Sequence, residues 1–292
     1  MSSLVAALGR TPGERLIVLH QGDVGLCHSA NAAFVELFRR GGITCGSAIV
    51  PSPWFPEIAA IAAADRDLDL GIQLTLTSEW QHYRWGPVSA AGHRLCDEHG
   101  YFPRGVAELR RRLDLDAAEA ELRAQIDRAI AMGMRPTHLD SHMGVGLAPE
   151  LRSLYVRLGR DYRLPVVLPR DFEAYSSQLD FGALSRDDSA QYSALLSAAA
   201  QPPFDTVRFL AGRGGTDVMP AYRGLLGSAK PGVGFVALRC STAGDIETIA
   251  PAAAAARIDE HKLFRSPTAA AWLKQSGIVA IGMREIQRVQ FA

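Results

Sequence analysis

The sequence has no net charge. Thirty-one Lys and Arg residues balance thirty-one Asp and Glu among its 292 residues. A balanced chain lacks the basic footprint of a nucleic-acid binder and the charge asymmetry that draws a protein to an anionic membrane. No apolar run approaches the length of a transmembrane helix. Residues 1–10 lack the basic start and long apolar stretch of a secretory signal. Cysteine is scarce: Cys27, Cys45, Cys96 and Cys240 show no C-x-x-C spacing, which argues against a disulfide framework or a zinc knuckle. Reduced thiols in a cytoplasm are the expectation. No glycine-rich dinucleotide fingerprint follows the first predicted strand. G-R-G-G at 212–215 lacks the Lys-Ser/Thr of a P-loop and reads as a turn. Internal repeats and low-complexity linkers are also missing, so one domain over 1–292 is expected. A homodimer is expected only from the frequency of such assemblies.

What is present is a large apolar fraction, 48%, enough for a sizeable core. Short apolar runs alternate with longer helical patterns. Strands are predicted at residues 15–20, 45–50, 68–74, 137–140, 164–168, 205–210, 234–239 and 278–281. Helices are predicted at 29–40, 55–65, 116–132, 149–159, 246–258 and 269–274. In the helix over 116–132, Glu119, Glu121 and Arg123 are placed on wetter faces, with Leu122, Ile126 and Ile130 on the apolar one. Strand–helix alternation implies parallel strands joined by helical crossovers. The fold expected is a single α/β, TIM-like barrel, distorted or incomplete, of seven or eight strands. Residues 77–113 form a long excursion rich in Trp, Tyr, His and Arg, which reads as an active-site loop insertion.

In such a barrel, functional groups gather where strands end and loops begin. The first strand ends in His20-Gln21-Gly22-Asp23, the third in Gln73-Leu74-Thr75, and a late one in Arg239-Cys240-Ser241. The fourth ends in H-L-D-S-H, His138 to His142. Within a strand, His138, Asp140 and His142 share one face; if the strand stops near Asp140, His142 sits on the pocket loop instead. Two imidazoles and a carboxylate this close either bind a metal, relay a proton, or order a loop as a buried polar cluster. Asp23 is either a further ligand or a helix cap, with Ser29 the better candidate for the cap. Glu79, Trp80, Tyr83, Arg84 and Trp85 are candidates for substrate contact, against the alternative of a packed loop hairpin. Cys240 is a weaker nucleophile candidate, since a lone Cys in an apolar strand is ordinarily a small buried residue. His82, His93 and His99 read as solvated loop residues, and His261 as helical.

Several stretches together resemble one family. H-Q-G-D-V-G-L-C-H-S-A-N is similar to the A-D-D-x-G-x-x-x-x-x-N signature of YdjC-like carbohydrate deacetylases. D-L-G-I-Q-L-T-L-T-S-E-W is similar to the G-x-H-L-T-L-T segment, and R-P-T-H-L-D-S-H-M-G to T-H-x-D-x-H. T-S-E-W-x-x-Y-R-W-G-P and F-R-S-P-T-A-A-A-W-L-K-Q-S-G-I extend the likeness. The resemblance covers about residues 15–285. It implies a distorted α/β barrel and a divalent-metal (zinc or magnesium) hydrolase acting on N-acetylated sugars. The family's metal carboxylate matches Asp23 and its metal histidine matches His142. The paired carboxylate that serves the family as general base falls on Gly22, a second histidine ligand on Gln73, and a late histidine near Cys240-Ser241. Gln is a poor replacement for imidazole on zinc, so weak or absent metal binding is expected. Loss of a positioned base typically costs about 10²–10⁴ in rate. The function expected is hydrolysis, or related acid/base chemistry, on a small polar sugar-like or N-acylated metabolite. The catalytic candidates are Asp23, His142, His20, His138, Asp140, Gln73 and Cys240. The alternatives are a metal-independent lyase, cyclase or isomerase of secondary metabolism, and a non-catalytic ligand-binding barrel.

Overall fold

A computed structural model describes residues 4–199, 201–210 and 218–292. The predicted turn at 212–215 lies outside the described residues.

Among the described residues, seven strands form one parallel sheet: β1 (Arg15–Val24), β2 (Cys45–Ala48), β3 (Leu70–Leu74), β4 (Leu139–Ser141), β5 (Thr206–Phe209), β6 (Gly232–Leu238) and β7 (Ile278–Ala280). The order is β4-β3-β2-β1-β6-β5, and β7 pairs with β1. Strand β1 is the axis of the sheet. Its first residues pair with β7, its later ones with β2, and its length from Arg15 to Gln21 with β6. A strand covered on both faces needs a continuous apolar run, and Leu16, Ile17, Val18 and Leu19 are all buried. The helices between strands cover the outer face, as parallel crossovers require.

The predicted strand at 164–168 is reduced to an isolated bridge, Leu139 to Val166, and a second bridge joins Pro169 to Phe204. Side chains do much of the pairing there. The Tyr155 hydroxyl donates to the Leu139 carbonyl and accepts from the Val167 N–H, at 2.8 and 3.0 Å. Gln201 binds both the N–H and the carbonyl of Val166. The described chain thus builds a curled, parallel α/β sheet with a barrel-like course.

Three local expectations are corrected. Glu121 is fully buried rather than wet: its carboxylate accepts the N–H groups of Val88 and Ser89 and a bond from Gln125. Ile130, assigned to the apolar face, is 47% exposed. Ser29 does not cap the helix His28–Arg39; the carboxylate of Asp245 does, accepting from the N–H groups of His28 and Ser29. The helix predicted at 246–258 divides into Asp245–Ile249 and Pro251–Arg265. Pro251 lacks the N–H that would continue the first piece and suits the first turn of the second. Among the described residues, six α-helices were not foreseen: Leu4–Ala7, Val106–Arg111, Phe172–Ser176, Asp188–Ala198, Val218–Gly227 and Met283–Gln290. No helix among the described residues is long and apolar enough to cross a membrane.

Candidate functional site

The register of β1 on β2 slips between Gln21 and Val24, so Gly22 and Asp23 leave the ladder. Asp23 takes a left-handed backbone with φ of 58°, a conformation that aspartate tolerates better than most residues. This irregularity turns the Asp23 side chain to the end of the sheet where β3 and β4 also finish. There the Asp23 N–H donates to Gln73 Oε1 at 2.8 Å. A Cβ at Gly22 would stand 3.1 Å from Gln73 Nε2, so this residue faces the same space.

A cavity of about 310 Å³ opens at this rim. Gly22, Asp23, Gln73, Asp140 and His142 line its floor, and Glu79 and Trp80 of the long loop line one side. Tyr175, Leu179, Val207, Phe209 and Phe235 supply an apolar wall. Arg239, Arg257 and Glu260 complete the polar end.

Asp23 is nearly enclosed, and the partners around it are cationic. Arg257 Nη2 lies 2.7 Å from its Oδ2, Arg239 Nε 3.9 Å from the same oxygen, and His142 Nδ1 3.5 Å from Oδ1. Burial disfavours the charge, but Arg257 and then His142 outweigh it and hold the Asp23 carboxyl well below the usual range. His142 places its other nitrogen 2.9 Å from Glu79 Oε2. Burial opposes a charged imidazole, yet the two carboxylates push His142 up to about 10. Strand β4 ends at Ser141, so His142 begins the next turn and faces the cavity, the second of the two arrangements considered above. Asp140 accepts from the Ser47 hydroxyl at 3.0 Å, and burial raises its pKa.

Other candidates lie elsewhere. His20 and His138 are fully buried in the sheet interior, their rings edge to face at 5.2 Å, and neither lines the cavity. His20 Nε2 stands 3.8 Å from Asp140 Oδ2, behind the floor. His138 packs so closely on β3 that any Cβ at Gly71 would meet its ring at 2.6 Å. Cys240 is buried and not part of the cavity lining, and burial pushes its thiol well above the ordinary range. Tyr83 donates to the Leu26 carbonyl, Arg84 pairs with Asp97, and the Trp85 indole donates to the Thr77 carbonyl. These three pack the loop and do not line the cavity, although the Trp85 ring stands 6.0 Å from that of His142.

Arg239, Arg257 and Glu260 were not among the sequence candidates. Their signal was present: Arg257 and Glu260 are three residues apart in an alanine-rich helix, so they share a face. Both are buried, and Glu260 accepts from the Tyr222 hydroxyl and the Arg239 N–H.

The donor set as arranged does not fit a divalent ion. Arg257 holds one Asp23 oxygen, Gln73 Oε1 accepts a backbone N–H, and both His142 nitrogens face carboxylates. Among the described residues, no three His, Cys, Asp or Glu side chains gather as a metal cage.

Comparison with known proteins agrees with the motifs. A carbohydrate deacetylase of Thermus thermophilus is 37% identical over 198 residues, 68% of this chain and 66% of that protein. A carbohydrate deacetylase of Brevibacillus brevis is 32% identical over 153 residues, 52% of this chain and 59% of that protein. The aligned part therefore spans somewhat less than two thirds of each relative. A crystal structure of a provisionally named cellobiose-phosphate cleavage protein from Enterococcus faecalis superposes with a TM-score of 0.72. Its identity is 20%, and the match covers 94% of this chain and 99% of that one, a likeness of fold. The YdjC-like protein family matches residues 16–275, and the chain belongs to that family.

Proposed function

We propose that this chain is a hydrolase that removes an acyl group from a small, sugar-like N-acylated metabolite, with a centre that departs from the metal-dependent form the family resemblance implies. The observation that carries the reading is the cavity itself: Asp23, Gln73, Asp140 and His142 line one floor at the sheet's rim. In this reading His142, charged between Asp23 and Glu79, is the proton donor to a leaving nitrogen. Asp140 is the floor carboxylate held by a hydroxyl rather than a cation, and it takes the proton that Gly22 cannot. Trp80 offers an aromatic edge for a sugar ring, with Glu79 beside it. Zinc or magnesium binding is weak or absent, because the Gln73 oxygen and one Asp23 oxygen already have protein partners.

We read the curled sheet as a distorted TIM-like barrel in one domain, its ring continued by the bridges at Val166 and Phe204. A cytoplasmic setting accords with four unpaired cysteines.

Acetate release from N-acetylglucosamine oligomers tests the activity. The wild type is expected to release acetate slowly, and Asp23→Ala and His142→Ala are each expected to lower the rate by about 10²-fold or more. Undiminished release by both variants would place the working site elsewhere, and no release by the wild type would remove the deacetylase reading.

A further inference from the structure

We propose that Arg257 is the resident cation of this centre, its guanidinium standing where the family resemblance would put a divalent metal. The inference rests on reading the cavity as a hydrolytic centre of the YdjC-like kind.

Three observations carry it. First, Arg257 reaches Asp23 from the helix Pro251–Arg265, is itself 5% exposed, and makes a 2.7 Å charge-assisted bond to Oδ2. Arg239 stands 3.9 Å from the same oxygen, so two guanidinium groups already share one carboxylate. Second, that carboxylate has no twin. With a second acid at position 22, an arginine and a metal could each hold one; with Gly22 there, they compete for Asp23. An arginine cannot yield by losing its proton, as a buried lysine or histidine can. Third, the remaining candidate ligand is neutral and engaged: Gln73 Oε1 fixes the Asp23 N–H. Asp23 Oδ2 and Gln73 Oε1 therefore have their partners without an ion.

The guanidinium differs from a metal in what it offers. It donates hydrogen bonds and does not act as a Lewis acid. Arg257 lines the cavity, its guanidinium 5.7 Å from the Trp80 ring, and its Nε and Nη1 make no hydrogen bond among the described residues. Buried donors without partners are costly, so these N–H groups are matched to an oxygen of the bound ligand, such as an acyl carbonyl. Arg257 then orients and polarises that oxygen beside Trp80.

The test measures zinc, not turnover. The full chain is incubated with zinc, gel-filtered, and analysed for metal, alongside Gln73→His, Arg257→Met and Gln73→His/Arg257→Met. Wild type and Gln73→His are expected to retain substoichiometric zinc, because the Arg257 guanidinium still occupies Asp23. The double variant is expected to bind zinc at least about tenfold more tightly than Gln73→His. Near-stoichiometric zinc in the wild type overturns the proposal, as does a zinc affinity for Gln73→His that adding Arg257→Met leaves unchanged. Circular dichroism and thermal unfolding with and without zinc accompany each variant. Should the Arg257→Met variants not fold, Gln73→His decides: stoichiometric zinc there overturns the proposal, and substoichiometric zinc supports it. Acetate release assayed in parallel keeps the two readings apart, since its loss would remove the deacetylase reading and leave the zinc result standing.

Discussion

At Asp23 and at His20, two residues three positions apart on one strand, burial disfavours the charged form alike, but the outcomes differ. Asp23 stays ionised because Arg257 is in contact with it. His20 has no such partner: among the described residues neither of its ring nitrogens is hydrogen-bonded, nor is His138 Nε2. Burial therefore pushes His20 down to about 3 and His138 well below its ordinary value. Each histidine is neutral in the folded protein and takes up a proton on unfolding near pH 6.5. A group whose folded pKa is depressed contributes stability above its unfolded pKa and loses it as pH falls. Stability is thus expected to drop below about pH 6.5 toward 3, with a slope of up to about 1.4 kcal/mol per pH unit for each histidine. Urea unfolding of the wild type and of His20→Leu over this range checks it. The variant should show the shallower acid slope; parallel slopes would mean that His20 takes no part. Motif and spacing made Asp23, Gln73 and His142 legible as a set. They did not reveal that His20 lies behind the cavity floor, because a strand end looks alike in sequence whether a side chain faces the cavity or the core.

At the scale of elements, the long loop over 77–113 depends on a residue outside it. Glu121, on the helix Leu115–Ala131, accepts from the N–H groups of Val88 and Ser89 at 3.0 and 2.8 Å. The loop carries Glu79 and Trp80 to the cavity. Replacing Glu121 by Ala removes the acceptor for two backbone donors, at a cost of about 1–3 kcal/mol. Glu121→Ala is expected to lower the denaturation midpoint and to speed proteolytic cleavage within 77–113. An unchanged cleavage rate would show that the loop is held by its apolar contacts alone. The sequence placed this helix well but turned Glu121 to the water. A glutamate is usually exposed, and nothing in the local pattern says that two N–H groups of a loop some thirty residues earlier will meet it.

Across the whole molecule, the weakest part of the sheet's course is the stretch after β4. Two isolated bridges stand where β-ladders would be expected, and side chains make up the difference. The Tyr155 hydroxyl joins the Leu139 carbonyl to the Val167 N–H, and Tyr192 donates to the Pro169 carbonyl at 2.7 Å. Tyr155→Phe keeps the ring and deletes both bonds, leaving the Val167 N–H and the Leu139 carbonyl only their own 3.3 Å bond to each other. The expected loss is about 0.5–1.5 kcal/mol, read from chemical denaturation. Hydrogen exchange at Val167 should rise more than at β1, whose amides belong to continuous ladders with β2 and β6. Equal protection at both places would mean that the bridges suffice without Tyr155.

The alternation of apolar runs with helical patterns was enough to establish a parallel α/β protein, because a strand buried on both faces must be apolar throughout. Six of the eight predicted strands, among them 137–140 at Leu139–Ser141, appear within about two residues of their expected bounds, and the first begins at Arg15 as expected but runs four residues further, to Val24. The eighth, at 164–168, is reduced to a bridge: beside backbone bonds to Leu139 and Phe204, it bonds the side chains of Tyr155 and Gln201, which its own sequence does not announce. The motifs around Asp23, Gln73 and His142 likewise carried the family and the convergence of those residues at one rim. What only the tertiary structure decided is the charge arrangement there. Arg257 meets Asp23 across 234 positions of chain, and Glu79 meets His142 across 63. Such pairings depend on where a crossover helix and a loop come to rest on the sheet. Local propensity shapes each element, and the packing of the whole chain sets which charges face one another.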